Sequence, residues 1–182
     1  MIMEKVRIPL IVIAALCVLC LPSSTAAQST DRACADAEVK FHNLSRYKSA
    51  RWERVFRDRE VAPVLKSLLG KDYQLLIGSM SQADYPEDPK GLLSFVDRKG
   101  VLTLRGFVPG LFTIMEAMLI VEPCGNIYAA ILDEGKRFLY FSNDKVYIER
   151  LPDAIEQWRR RIEKARNSLE KMPELPVVFK SK

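Results

Sequence analysis

Histidine is almost missing from this sequence: in 182 residues, His42 is the only imidazole. One imidazole cannot build a histidine-rich metal site. It also leaves a Ser-His-Asp or Cys-His arrangement hard to assemble, because each needs a base beside its nucleophile, and no nucleophile motif lies near His42. G-x-S-x-G, H-E-x-x-H, a phosphate-binding loop and a dinucleotide fingerprint are likewise missing. Cysteine is scarce, with four in all, and no spacing among them suits a zinc ligand set. The acidic residues Asp84, Glu87 and Asp88 do not have the spacing of a calcium loop, and nothing in their surroundings suggests the burial that raises a catalytic carboxyl. No catalytic residue, metal or cofactor is therefore predicted, and the chain reads as non-enzymatic.

What is present begins with an export signal. Lys5 and Arg7 precede an apolar run over residues 8–21, and Thr25-Ala26-Ala27 offers small residues for cleavage after Ala27. The run is about 14 residues, short of the ~20 that span a bilayer, so removal is preferred to a retained anchor. Leu16 and Leu19 precede Cys17 and Cys20 where a lipid-attachment site needs a small residue. Residues 1–27 are read as a signal peptide and the mature chain as periplasmic or secreted, with no membrane span once the signal is gone. Lys and Arg number 28 against 23 Asp and Glu, a formal charge of +5. Without an aromatic-basic motif this excess does not indicate nucleic acid. It is compatible with anionic envelope surfaces.

Cys34 and Cys124 remain after the signal, an even pair in an oxidising compartment. A disulfide between them is predicted, the alternative being two free thiols. Closing a loop of about 90 residues would contribute roughly 4–5 kcal/mol in the chain-entropy picture, and often less in practice.

The chain is organised around residues 114–141, where three apolar runs are separated by Glu122-Pro123-Cys124-Gly125 and Asp133-Glu134-Gly135-Lys136. This is the pattern of an antiparallel meander with one face on a core. Glu116 interrupts the first run, and strand alternation places it outward. Before the meander, residues 28–44 read as an arm and residues 45–59 as a helix. A short helix around Pro63 ends at Gly70, and residues 73–80 read as a strand. Residues 81–91 (SQADYPEDPKG) form an exposed loop, and residues 92–96 and 101–107 flank a hairpin turn. After the meander, residues 145–151 suggest a short edge strand. Asp153 with Glu156 has a capping-box spacing, and Ile155, Trp158, Ile162, Ala165 and Leu169 fall on one helical face. Residues 172–182 read as an extended, mobile tail. The predicted fold is α+β: a single domain over residues 45–171, its antiparallel meander sheet packed against an N-terminal helical segment and a C-terminal amphipathic helix.

Two stretches carry a family resemblance. APVLKSLLGKDYQLLIGSM with the following loop and LLSFV is one, and GNIYAAILDEGKRFLYF followed by LPDAIEQWRRRI is the other. In shared pattern, they resemble the periplasmic inhibitors of vertebrate (c-type) lysozyme over about two thirds of the mature chain. That family carries a protruding loop bracketed by two cysteines and bearing a histidine. The corresponding region here, residues 81–91, has neither. The resemblance implies an exported sheet packed on helices that binds an envelope-directed enzyme.

The leading expectation is a protein-binding module of the inhibitor or immunity kind, inserting residues 81–91 into a partner's cleft. Tyr85 is the expected aromatic anchor, with Asp84, Glu87 and Asp88 as polar contacts. A second partner face is placed at Arg159, Arg160 and Arg161. Two other classes are weighed: an assembly component of a cell-envelope or secretion machine docking through that helix, and a carrier holding a small apolar ligand on a concave sheet face.

Overall fold

The computed structural model describes residues 34, 38–48, 50–83, 94–168 and 172–180. A 3-10 turn at Leu44–Tyr47 opens the helical segment, followed by α1 (Glu53–Phe56), α2 (Val61–Leu69) and α3 (Tyr73–Gly78). The strands are β1 (Gln82–Ala83), β2 (Ser94–Val96), β3 (Leu102–Phe107), β4 (Glu116–Val121), β5 (Ile127–Asp133) and β6 (Arg137–Ser142). A 3-10 turn at Lys145–Tyr147, then α4 (Asp153–Asn167) and β7 (Val177–Lys180), complete the chain. The sheet runs in the order β1-β3-β4-β5-β6-β7, with β2 paired to the same edge of β3 as β1. Every pairing is antiparallel except that of β6 with β7. The α+β class, the meander and the hairpin of β2 with β3 are as the sequence indicates.

The sheet is covered on both faces. Leu102, Leu104, Leu119, Val121, Ile131 and Phe141 face the N-terminal helices, meeting Phe41, Val55, Leu65 and Leu76. Met118, Ile120, Tyr128, Leu132, Phe138 and Tyr140 face α4, meeting Ile155, Trp158 and Ile162. This corrects the expectation of a single buried face and explains the near-continuous apolar runs. All six residues of β4 and the first six of β5 are buried, so neither strand has a wet side on which polar residues could alternate. Each large side chain so covered contributes on the order of 1.5–3 kcal/mol relative to exposure.

Several local expectations are revised. The helix placed over residues 45–59 is broken into the 3-10 turn and α1, with residues 48 and 50–52 outside both. Residues 73–80 are largely helical: Tyr73 and Leu76, three apart, are buried on one side, and the Tyr73 hydroxyl donates to the Phe56 carbonyl at 3.1 Å. An eight-residue apolar run is ambiguous between strand and helix, and packing decided it. The edge strand placed at residues 145–151 is instead a 3-10 turn, started by Asp144, whose side chain accepts from the Val146 amide. The capping box does not form, because Pro152 is the N-cap of α4 and the Glu156 carboxylate turns to Arg159 and Arg160. The tail contains β7, so at least residues 177–180 are paired rather than loose. The chain reaches that parallel position by crossing over through α4, which covers the sheet as a βαβ crossover does.

Among the described residues, no helix is long and apolar enough to cross a membrane. Cys34 and Cys124 are joined, with Cα atoms 5.3 Å apart, across a separation of 90 residues.

Candidate interaction site

The two ends of β4 carry contrasting loops. At the β3–β4 end, Val108 to Met115 is closed by the Val108 amide on the Met115 carbonyl at 3.0 Å. Within it, the Leu111 amide donates to Val108, and those of Ile114 and Met115 donate to Leu111. Gly110 and Thr113 both have positive φ, +78° and +62°. Thr113 adopts this uncommon conformation where its amide donates to the Glu116 carboxylate at 2.9 Å. The β5–β6 turn supports the loop from the side, as the Gly135 amide donates to the Ile114 carbonyl at 2.7 Å. Gly135 is in turn held by the Arg166 guanidinium, which donates to its carbonyl. A Cβ on Gly135, at φ +64°, would lie against Arg166 and the backbone of Thr113 and Ile114.

On this braced turn, Leu111, Phe112 and Ile114 are 36%, 47% and 41% exposed. Phe112 leans edge-on against Phe107, their ring centroids 5.9 Å apart. Three large apolar side chains held in solvent on a turn with this many backbone bonds form a preorganised contact surface.

Beneath them sits Glu116. Strand alternation placed it outward, but it is fully buried. Its second oxygen is 3.3 Å from Arg161 Nη2 of α4. The outward assignment fails because β4 has no solvent face, so an acidic side chain there must find donors.

At the other end of β4, Glu122 is 3% exposed and opens the turn that carries Cys124. Asn126 Nδ2 donates to Glu122 Oε2 at 3.0 Å. The Tyr128 hydroxyl lies 2.8 Å from Asp144 Oδ2 and 3.3 Å from Glu122 Oε2, with one proton to share between them. Burial pushes the Glu122 carboxyl above its ordinary pKa. The Asn126 and Tyr128 hydrogen bonds oppose this, and the Asp144 and Asp97 charges add to it. Among the described residues, no cation reaches Glu122. Cys34, Glu122 and Cys124 place their ligand atoms within 4.8 Å of one another, but sulfurs joined as a disulfide offer no thiolate to a metal. The arm is fixed here too, through the Lys40 and Phe41 amides on the Pro123 carbonyl at 2.9 Å. Lys40 crosses so close to Gly125 that a Cβ there would approach its Cδ to 2.6 Å.

Asp84, Tyr85, Glu87 and Asp88 lie outside the described residues. The flanks of their loop are placed: Ala83 pairs with Gly106 and Ser94 with Leu104, both on the outer edge of β3.

Arg159, Arg160 and Arg161 do not form one open face. Arg159 is largely buried, bonding Glu156 at 2.8 Å and Glu163 at 2.6 Å, while Arg161 reaches Glu116. Arg160 alone of the three is well exposed, and it pairs with Glu156 at 2.7 Å. Arg159, followed by Arg160, holds the Glu156 carboxyl down at about 2.

No family model, curated protein or solved structure matches this chain.

Leu111, Phe112 and Ile114 are the residues that sequence reasoning passed over. The signal was present in PGLFTI, where three large apolar residues follow a Pro-Gly break.

Proposed function

We propose that this chain is an exported, non-enzymatic protein-binding module of the inhibitor or immunity kind, directed at a cell-wall hydrolase. The observation that carries this reading is the exposed trio Leu111, Phe112 and Ile114 on a braced turn. A partner's cleft can receive these side chains without first having to order them. The loop with Asp84, Tyr85, Glu87 and Asp88 would supply polar and acidic contacts to the partner in addition to this apolar anchor. A basic target, as many lysozymes are, would meet those contacts with faster encounter.

The two alternative classes have less support. A carrier would need an open apolar sheet face, whereas both faces are packed on helices. Docking through α4 would draw on arginines that are engaged with glutamates of the chain itself.

The test is retention of purified muramidases and amidases on the immobilised mature protein. Retention of at least one is expected, weakened tenfold or more by Phe112→Ser and by Tyr85→Ala. Failure to retain any of them, or retention indifferent to Phe112→Ser and Leu111→Ser together, would overturn the reading.

A further inference from the structure

A different surface lies on the helical segment, on the sequence between the first 3-10 turn and α2. Residues 46–60 (RYKSARWERVFRDRE) contain six cations and three anions, a concentration of positive charge in a chain whose total is +5. The three carboxylates are all engaged. Asp58 and Glu60 take Arg46 at 2.9 and 3.2 Å, and Glu53 takes Arg51 at 2.9 Å. Arg54, Arg57 and Arg59 are exposed and meet no carboxylate among the described residues. Arg54 and Arg57 line two adjoining open grooves of about 520 and 610 Å³. The platform beneath is fixed, because Val55 and Phe56 of the same helix are buried and Trp52 packs edge-on against Phe56 at 5.6 Å.

We propose that this arginine groove binds a linear polyanion whose charge is carried by phosphate groups. A guanidinium offers a planar fork of donors that matches phosphate oxygens two at a time. Arg54 lies in α1 and Arg57 caps its C-terminal end, three residues on, and both line the two grooves. A chain of charges threading the two grooves meets both in succession. Asp58, Glu60 and Glu53 also line these grooves, and they are paired with Arg46 and Arg51, which leaves the cations of residues 46–60 in excess by three. A concave site favours a polymer strand over a flat bilayer, which would touch only its rim. This inference is independent of the apolar turn and stands or falls separately from it.

The experiment is fluorescence anisotropy of labelled inorganic polyphosphate with the mature protein, over a range of salt. Binding should weaken as salt rises. Arg54→Gln with Arg57→Gln should lower affinity at least tenfold and reduce the slope against log salt by about two, roughly one per lost phosphate contact. The corresponding double lysine variant, which keeps the charge and loses the fork, should fall between. Lys145→Gln makes the same kind of charge change at an exposed site elsewhere and should alter affinity less than twofold. Absence of binding at low salt would overturn the proposal, as would an equal loss per charge removed in Lys145→Gln. Vesicles containing phosphatidylglycerol form the competing arm. If they bind through Arg54 and Arg57 and polyphosphate does not displace them, a lipid surface is the occupant and the polymer proposal fails.

Discussion

One strand, β4, begins on a buried glutamate and is followed directly by another, and the two carboxyl groups are treated in opposite ways. Glu116 is met by a guanidinium and a backbone amide. Glu122 is met by an amide side chain, a phenol and the disulfide, with Asp144 nearby. The first arrangement compensates a charge, and it stands under a turn whose apolar side chains are left in water. The second disfavours a charge, and it stands behind a turn that is covalently tied to the arm. The contrast teaches that a buried acid can serve two purposes in one sheet. With a cation it fixes a loop that leaves apolar side chains in water, and without one it belongs to the packing of the closed end.

The largest effect is expected from breaking the closed end. Cys34→Ser or Cys124→Ser should destabilise the protein by roughly 2–5 kcal/mol, read as a lower midpoint in denaturant. The apolar turn should keep its geometry, so hydrolase retention at a temperature where the variant is folded should persist. If it vanishes, the two ends are not independent.

Next in size is Glu116→Ala, which removes a buried carboxylate and leaves the Thr113 amide and Arg161 without it. Breaking a fully buried pair costs about 3–5 kcal/mol, and the partial exposure of Arg161 should hold this one nearer 2–3. Amide exchange at Thr113 should speed up more than exchange across β5. Equal acceleration in both places would mean that Glu116 supports the whole sheet and not the turn.

The third test is pH. Glu122 has a folded pKa above its unfolded one, so the folded state binds the extra proton. Its favourable contribution is complete below the unfolded value and is lost as pH rises through the raised folded value. Glu156 runs the other way: its folded value of about 2 gives stability above the ordinary carboxylate range that disappears as pH falls toward that value. Glu122→Gln should flatten the loss on the rising side while changing stability at low pH by about 1 kcal/mol or less, since it replaces a neutral acid by a neutral amide. Urea titrations of both proteins between acid and neutral pH decide this. A Glu122→Gln profile that still falls on the rising side would show that another group is responsible.

The smallest effect belongs to Arg160→Ala. Its side chain is 73% exposed in a pair with Glu156, and such pairs contribute about 0–1 kcal/mol. Thermal melts of this variant and of the wild type should nearly coincide.

Much of the scaffold was readable because it is local. The meander lies in three apolar runs parted by turn residues, and α4 lies in Ile155, Trp158 and Ile162 at helical steps. The Cys34–Cys124 link was readable by counting. The helical state of Tyr73–Gly78 was not, since a short apolar run fits either period until its neighbours are known. The burial of Glu116 was not readable either, because its donor Arg161 lies 45 residues away.

The sequence by itself determined the class of fold, the order of most elements and the covalent tie, since each follows from spacing along the chain. Tertiary structure alone decided that α4 carries the chain across the sheet to lay β7 parallel to β6, which covers the second face. It also decided that Leu111, Phe112 and Ile114 stay in water while Glu116 does not. Those outcomes depend on which distant groups arrive at each end of β4, and a residue's period or propensity contains no record of that.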